Sequence, residues 1–236
     1  MTIKAILFDK DGTLLDFEGT YGPAAAGVIR HLASGDAALA RLLAELVEFD
    51  LDREAFGESS TVIAGSAADL AELWCEHLAG KDVPDLALEI DVLFTDYSRA
   101  SIVPFQGLNE VLQSLANAGH LMGIATNDSE AGARSQLEIV GISSHFPFVA
   151  GYDSGFGAKP DCGMVKAFAS HTGIPPSEIA MVGDSLHDMR CARGGGALAV
   201  AVASGMASAD ELAPFADHVI ASVRDLPGLV SRLNAA

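Results

Sequence analysis

Cysteine is scarce in this sequence. Three cysteines, Cys75, Cys162 and Cys191, are spread over 236 residues, an odd number without a Cys-x-x-Cys pair. A disulfide framework needs paired cysteines, and a structural zinc site needs closely spaced ligands. The pattern argues against both and is typical of a protein kept in a reducing compartment.

Basic residues are few as well. Lysine and arginine number 14 against 32 aspartates and glutamates, which gives a formal net charge of −18 at pH 7. Nucleic acids and anionic membranes attract proteins through basic patches. We therefore expect neither nucleic acid nor a membrane as a partner.

Long hydrophobic runs are also missing. The apolar segment Ala197–Ala203 is far shorter than a membrane span, and Asp9 and Asp11 interrupt the apolar start of the chain where a signal peptide would need a continuous core. Hydrophobic residues still make up 50% of the sequence, enough for a sizeable core. These features predict a cytoplasmic protein with one large domain, or with a core and a smaller second unit.

The segment Ile3–Asp9 is the first predicted strand. It is mostly apolar, which is typical of a parallel strand buried on both faces. The strand ends on two carboxylates, Asp9 and Asp11, followed by Gly12 and Thr13. In open α/β sheets the reacting groups lie just beyond the carboxyl ends of the strands. Closely spaced acids repel each other unless a cation or a proton compensates, so this position predicts catalysis or metal binding.

The next segment has helical periodicity and no convincing strand. Asp36 and Ser66 are suitable helix N-caps, and apolar residues follow each of them at helical spacing. The pattern predicts a separate all-helical domain over residues 17–100, inserted after the first strand. Residues 1–16 and 101–236 would then form the other domain.

Strands and helices alternate from Pro104 onward, which predicts an α/β fold: a three-layer, Rossmann-like core with a parallel sheet covered by helices. The remaining predicted strands are Leu121–Ala125, Phe146–Ala150, Ile179–Val182, Leu198–Ala203 and His218–Ala221.

Polar residues follow four of the predicted strands. Because parallel strands bring their carboxyl ends to one edge of the sheet, these residues can meet although they are distant in sequence. The set consists of Asp9 and Asp11, Thr126 and Asn127, Lys159, and Asp184 and Asp188. It combines an oxygen-rich anionic site suited to Mg²⁺ with donors and a positive charge for a phosphate.

This order of an acid pair, a threonine, a lysine and a second acid pair resembles the four motifs of the haloacid dehalogenase superfamily. The resemblance covers the predicted core at both ends of the chain, and the helical insertion stands where family members carry a small helical cap of the C1 type. Within this superfamily the chain resembles the phosphoglycolate phosphatase-like branch. The resemblance implies a catalytic core over residues 1–16 and 101–236 with a cap over residues 17–100.

The resemblance also implies a role for each motif residue. Asp9 would attack phosphorus and form an aspartyl-phosphate, and Asp11 would protonate the leaving oxygen and then deprotonate the attacking water. The residues expected to hold the phosphoryl group are Thr126, Asn127 and Lys159. The residues expected to hold Mg²⁺ are Asp9, Asp11 through its main-chain carbonyl, Asp184 and Asp188.

The expected function is therefore Mg²⁺-dependent hydrolysis of a small phosphomonoester of the phosphoglycolate or sugar phosphate type, by a monomer or a homodimer. A β-phosphoglucomutase-like phosphotransferase shares the same motifs and remains the first alternative. A sugar-phosphate-binding regulator without turnover is the second, although the complete acid set argues against it.

Three other classes of enzyme in this superfamily are disfavoured by features of the sequence. Lys10 stands between the two acids, as in ion-pumping ATPases, but those enzymes have threonine in place of Asp11 and need membrane helices. Dehalogenases lack the second acid. Phosphonate-cleaving members use a lysine near the start of the cap, whereas Lys81 lies late in it.

The predicted cap carries most of the negative charge. Residues 17–100 contain 16 acidic and 5 basic residues, so they account for −11 of the total −18. An anionic substrate would need a local cation there, and Arg53, in the polar stretch Asp50–Ser59, is the candidate for substrate specificity. The alternative is that Arg53 only pairs with a neighbouring acid, since exposed ion pairs are common and nearly neutral in energy.

Overall fold

The computed structural model describes residues 2–57, 60–64 and 66–235. It divides into two compact units. The core unit consists of the residues up to Asp16 together with those from Pro104 onward, and the inserted unit is Phe17–Val103. The sequence placed the second boundary at residue 101, a difference of three residues.

The chain begins with β1, Ala5–Phe8, and then enters the inserted unit. The α-helices in the described part of the inserted unit are α1 Phe17–Leu32, α2 Ala37–Leu46, α3 Thr61–Ala64, α4 Ala67–Trp74 and α5 Val83–Ala100. The unit also contains a short antiparallel pair of strands, β2 Phe49–Asp50 and β3 Ala55–Phe56. It is therefore mainly helical, whereas the sequence predicts that it is all-helical. Strands of two residues are too short to show an alternating pattern, so periodicity does not predict them.

The inserted unit has its own hydrophobic core. The indole of Trp74 is completely buried there, and its N–H donates a hydrogen bond of 3.0 Å to the carbonyl of Leu43. Ser66 begins α4 with a capping box, in which its hydroxyl accepts from the backbone of Asp69 and the Asp69 carboxylate accepts in return. Both Asp36 and Ser66 are therefore the helix N-caps that the sequence predicted.

The core unit continues with alternating helices and strands. Its elements are α6 Leu108–Asn117, β4 Leu121–Ala125, α7 Glu130–Ile139, β5 Phe148–Ala150, α8 Gly163–Thr172, β6 Ile179–Gly183, α9 Leu186–Gly195, β7 Leu198–Val202, α10 Ala209–Leu212, β8 His218–Ile220 and α11 Leu226–Ala235. Each predicted strand is present, with ends that differ by at most two residues.

Strand β1 and the five strands just named form one parallel sheet in the order β5-β4-β1-β6-β7-β8. Alternate residues of β1 enter different hydrophobic clusters. Ile6 and Phe8 pack with residues of α6, α7 and α11, whereas Ala5 and Leu7 pack with residues of α8 and α9. The sheet is thus covered on both faces, which confirms the predicted three-layer α/β core.

None of the helices in the described ranges combines the length and the apolar character that crossing a bilayer requires.

Candidate functional site

Three neighbouring strands bring the predicted site residues to one edge of the sheet. Strand β1 lies between β4 and β6, in register over Ala5–Phe8. Asp9 therefore follows β1 beside Thr126, which follows β4, and Asp184, which follows β6. All three side chains are buried, with 7%, 2% and 8% of their residue surface exposed.

Lys159 lies at the centre of the charged cluster. Its ammonium nitrogen is 2.6 Å from Oδ1 of Asp9 and 2.7 Å from Oδ1 of Asp188. Asp188 is anchored on its other oxygen as well, since Oδ2 accepts from the hydroxyl of Ser185 at 2.6 Å in the capping box that begins α9. One buried lysine is thus fixed between the end of β1 and the first turn of α9.

Asp184 approaches the loop after β1 so closely that only glycine fits there. Gly12 has a φ of +76°, and a Cβ at this position would lie 2.2 Å from Oδ2 of Asp184. Thr13 of the same loop donates to Oδ1 of Asp184 at 3.3 Å, and Ser204 donates to the carbonyl of Gly12 at 2.9 Å. The Asp-Gly-Thr sequence after β1 therefore folds onto the acid that follows β6.

Burial and nearby negative charges raise the pKa of two of these carboxyl groups, Asp9 and Asp184. Burial raises the pKa of Asp9 to about 6, with the charges of Asp188 and Asp11 acting in the same direction and that of Lys159 opposing them. Burial and then the charge of Asp9 raise the pKa of Asp184 well above its ordinary value. Although burial would lower the pKa of Lys159, the charges of Asp188 and Asp9 hold it above its ordinary value. The site has more negative charge than one lysine can balance.

The cluster fits a hard divalent cation. Asp9, Asp184 and Asp188 each offer a carboxylate oxygen, and these oxygens lie within 4.8 Å of one another. Oxygen atoms are the ligands that Mg²⁺ prefers, and it commonly keeps several waters and shares a substrate phosphate. The donor chemistry and the surplus negative charge fit a metal ion, and the identity of that ion as Mg²⁺ stays a prediction.

Sequence comparison assigns the family. A model of the haloacid dehalogenase-like hydrolase family matches residues 3–196. The chain belongs to the haloacid dehalogenase-like hydrolase family. The resemblance seen in the four motifs is thus confirmed.

Relatives in this family are phosphatases of different substrates. The chain is 32% identical over 225 residues to a phosphoglycolate phosphatase of Caulobacter vibrioides, an alignment that covers 94% of this chain and 88% of the relative. It is 26% identical over 205 residues to an N-acetylmuramic acid 6-phosphate phosphatase of Pseudomonas aeruginosa, covering 87% and 84%. The expected enzyme class, a haloacid dehalogenase-type phosphatase, is confirmed by these similarities.

The fold also agrees with that of solved structures. A haloacid dehalogenase superfamily hydrolase of subfamily IA from Geobacter sulfurreducens superposes with a TM-score of 0.71 at 19% identity, covering 97% of this chain and 96% of the other. This likeness concerns the fold and not the substrate.

The side-chain amide of Asn127 holds the loop that carries Lys159. Its Nδ2 donates to the carbonyl of Lys159 at 2.9 Å, and the backbone N–H of Lys159 donates to Oδ1 at 2.8 Å. The hydroxyl of Thr126 accepts from the backbone of Asp128 at 3.1 Å. The structure therefore gives Asn127 a positioning contact and leaves its phosphate contact a prediction.

Asp11 differs from Asp9, Asp184 and Asp188 in its position and in the lysine that it contacts. It is outside the group of three close carboxylates, and its Oδ2 lies 2.5 Å from the ammonium of Lys10. Lys10 also donates to the amide oxygen of Gln136. Gln136 was missed in the sequence because an isolated glutamine in a helix gives no signal of burial.

Arg53 lies in the turn between β2 and β3 of the inserted unit. Its side chain is 83% exposed, and its Nε is 3.8 Å from Oδ2 of Asp50. Of the predicted polar stretch Asp50–Ser59, Glu58 and Ser59 lie outside the described residues. A long, exposed contact of this kind is worth little and leaves the guanidinium accessible.

Proposed function

We propose that this enzyme is a Mg²⁺-dependent phosphatase that hydrolyses a small phosphomonoester through an aspartyl-phosphate on Asp9. The observation that carries the proposal is the position of Asp9 at the end of β1, in contact with Lys159 and within 4.8 Å of two further buried carboxylates. A nucleophile, a cation for phosphate and a metal-binding set thus share one edge of the sheet.

The reaction has two steps, transfer of the phosphoryl group to Asp9 and its hydrolysis by water. A carboxylate oxygen of Asp9 forms a bond to phosphorus while the ester P–O bond breaks, and Asp11 gives its proton to the departing oxygen. Asp11 then takes a proton from water as the water oxygen attacks phosphorus, and the P–O bond to Asp9 breaks. Inorganic phosphate leaves, and both aspartates return to their starting states.

Mg²⁺ would be held by Asp9, Asp184 and the main-chain carbonyl of Asp11. When bound it supplies charge neutralisation and orientation for the phosphoryl group. Asp188 is better suited to orienting than to direct ligation, because its two oxygens already accept hydrogen bonds from Lys159 and Ser185. We therefore assign Asp188 the role of holding Lys159 and the waters around the ion.

Lys159 and Thr126 are proposed to bind the phosphoryl group, and Asn127 to support them. The ammonium of Lys159 provides a point charge, and its loop is fixed by both polar atoms of the Asn127 amide. Fixed donors are effective because phosphoryl transfer depends mainly on positioning and charge stabilisation.

The proposed substrate is a small ester of the phosphoglycolate or sugar phosphate type, found in the cytoplasm. Two observations support a small substrate. The relatives described above are named for small phosphate esters. The inserted unit also carries many acidic residues, and such a field disfavours nucleic acids and phosphoproteins. We propose that the enzyme acts as a monomer or a homodimer.

Product analysis separates the phosphatase from its alternatives. We expect free phosphate as the main product when the enzyme receives β-glucose 1-phosphate with catalytic glucose 1,6-bisphosphate, because Asp11 activates water once the first product leaves. Phosphorus NMR of the mixture measures both products. Glucose 6-phosphate with little free phosphate would establish a mutase, and tight binding without either product would establish a regulator.

The preferred ester is identified in a second experiment, which measures phosphate release from a panel of metabolite phosphates.

Replacement of Arg53 tests the proposed specificity residue. We expect Arg53→Ala to raise KM about tenfold for the preferred carboxylate- or hydroxyl-bearing ester, the effect of losing one hydrogen bond to a charged group, and to leave 4-nitrophenyl phosphate hydrolysis unchanged. Arg41, exposed on α2 of the same unit, provides the matched control Arg41→Ala. Equal effects on both substrates, or none on either, would place the specificity determinant elsewhere.

A further inference from the structure

Lys10 is a completely buried lysine whose ammonium is surrounded by acceptors. Its nitrogen lies 2.5 Å from Oδ2 of Asp11 and 3.4 Å from Oδ2 of Asp128, and it donates to Oε1 of Gln136. None of its residue surface is exposed. A buried charge is costly unless it is paired and hydrogen-bonded, and these acceptors stabilise the buried ammonium.

Two of the three acceptors come from α7 and from the turn that precedes it. Gln136 is 4% exposed in the middle of α7, and Asp128 lies in the turn that joins β4 to that helix. The main chain of Lys10 is also fixed, since its carbonyl accepts from the backbone of Leu14 at 2.8 Å and of Leu15 at 3.0 Å. Lys10 therefore links the loop after β1 to the region after β4.

The two carboxylate oxygens of Asp11 have different surroundings. Oδ2 is held by Lys10, whereas Oδ1 is buried and has no hydrogen-bond partner in the part of the chain that the structure describes. The carboxylate is thus fixed through one oxygen, and the other is left for a substrate oxygen or a water. Among the described residues Lys10 is the hydrogen-bond donor to the Asp11 side chain.

We propose that Lys10, supported by Gln136 and Asp128, is a positioning residue that fixes the orientation of Asp11 for proton transfer. The inference rests on the proposed function, in which Asp11 is the general acid and base. Asp11 lies in the loop after β1 beside Gly12, and the contact with Lys10 holds its carboxylate in one orientation. A reacting group displaced by about 1 Å can cost about a hundredfold in rate, which is why such a device matters.

The test compares two substrates that differ in their need for a general acid. Phenyl phosphate has a poorer leaving group than 4-nitrophenyl phosphate, because the nitro group stabilises the phenolate. We expect Lys10→Met to lower kcat/KM about tenfold for phenyl phosphate and less than about threefold for 4-nitrophenyl phosphate. Lys166→Met, an exposed lysine of α8, serves as the matched control and should change neither value.

A second variant keeps the experiment informative if Lys10→Met folds poorly. Gln136→Met retains the volume of the side chain and leaves Lys10 in place. We expect a smaller loss with the same preference for phenyl phosphate, and no additional loss when it is combined with Lys10→Met, because Gln136 acts through Lys10. Equal losses on the two substrates, or additive effects of the two variants, would overturn the positioning role.

Asp11→Asn separates this inference from the proposed function. If Asp11→Asn lowers kcat/KM mainly for phenyl phosphate while Lys10→Met affects both substrates equally, the role of Asp11 stands and that of Lys10 is wrong. If Asp11→Asn leaves both substrates unaffected, the proposed function itself is wrong. The positioning role holds where Lys10→Met reproduces a weaker form of the Asp11→Asn effect.

Discussion

Asp9→Asn is expected to reduce kcat/KM by at least about a thousandfold, because the covalent path through the carboxylate disappears. Asparagine has almost the same shape, so the variant removes the nucleophile and one negative charge without opening a cavity. The loss is measured with 4-nitrophenyl phosphate at saturating Mg²⁺. Thermal unfolding, recorded beside it, establishes that the variant is folded.

Asp210→Asn provides the control for this experiment, since Asp210 is exposed in the first turn of α10. Its activity should equal that of the wild type. Acid quenching of the wild-type enzyme during turnover, followed by mass spectrometry of the peptide that contains Asp9, should detect a phosphoryl group on that residue. Activity of Asp9→Asn close to the wild-type level would contradict the nucleophile assignment.

Much of the fold could be read from the sequence because the core follows simple rules. The strands of the parallel sheet are short apolar runs that end on polar residues, and helical periods separate them. The sequence alone predicts that Asp9, Thr126 and Asp184 lie at one edge of the sheet, since parallel strands end on the same side. The structure places them there.

Long-range hydrogen bonds could not be predicted in this way. Gln136 reaches Lys10 across 126 positions, and Ser204 reaches Gly12 across 192. Neither residue stands in a motif, and polar residues of these types are usually exposed. Their partners are decided by the order of the strands and the packing of the helices, which local patterns do not contain.

The role of Gly12 could be predicted only in part from the sequence. The sequence pattern contains a glycine after the acid pair, and a turn explains it locally. The structure adds a second reason, because a side chain at Gly12 would collide with the Asp184 carboxylate. The same residue thus serves the turn and the assembly of the acidic cluster.

The second large effect is expected from removal of the metal ion, because the site carries an excess of negative charge. Asp9, Asp184 and Asp188 share the positive charge of Lys159, so the ionised cluster has two negative charges in excess. Burial and mutual repulsion raise the pKa of both Asp9 and Asp184, which means that their ionised forms are unfavourable without a further cation. A divalent ion would relieve this repulsion and favour the ionised carboxylates.

EDTA is therefore expected to abolish turnover, and added Mg²⁺ to restore it. A second measurement does not depend on activity. Because an ion that binds only the folded state stabilises it by about 2.7 kcal/mol at one hundred times its Kd, saturating Mg²⁺ should raise the Tm of the wild type by several degrees. Asp184→Asn should lose most of this rise together with activity, and Asp210→Asn should retain both.

The two measurements together distinguish a catalytic ion from a structural one. A rise in Tm on adding Mg²⁺, with activity that survives EDTA, would show that the ion only stabilises the cluster. Full activity in EDTA without any change in Tm would show that Lys159 alone neutralises the site, and the magnesium assignment would then be wrong. Loss of both activity and stabilisation in Asp184→Asn is the expected result, because the surplus negative charge at the end of β6 is what attracts the ion.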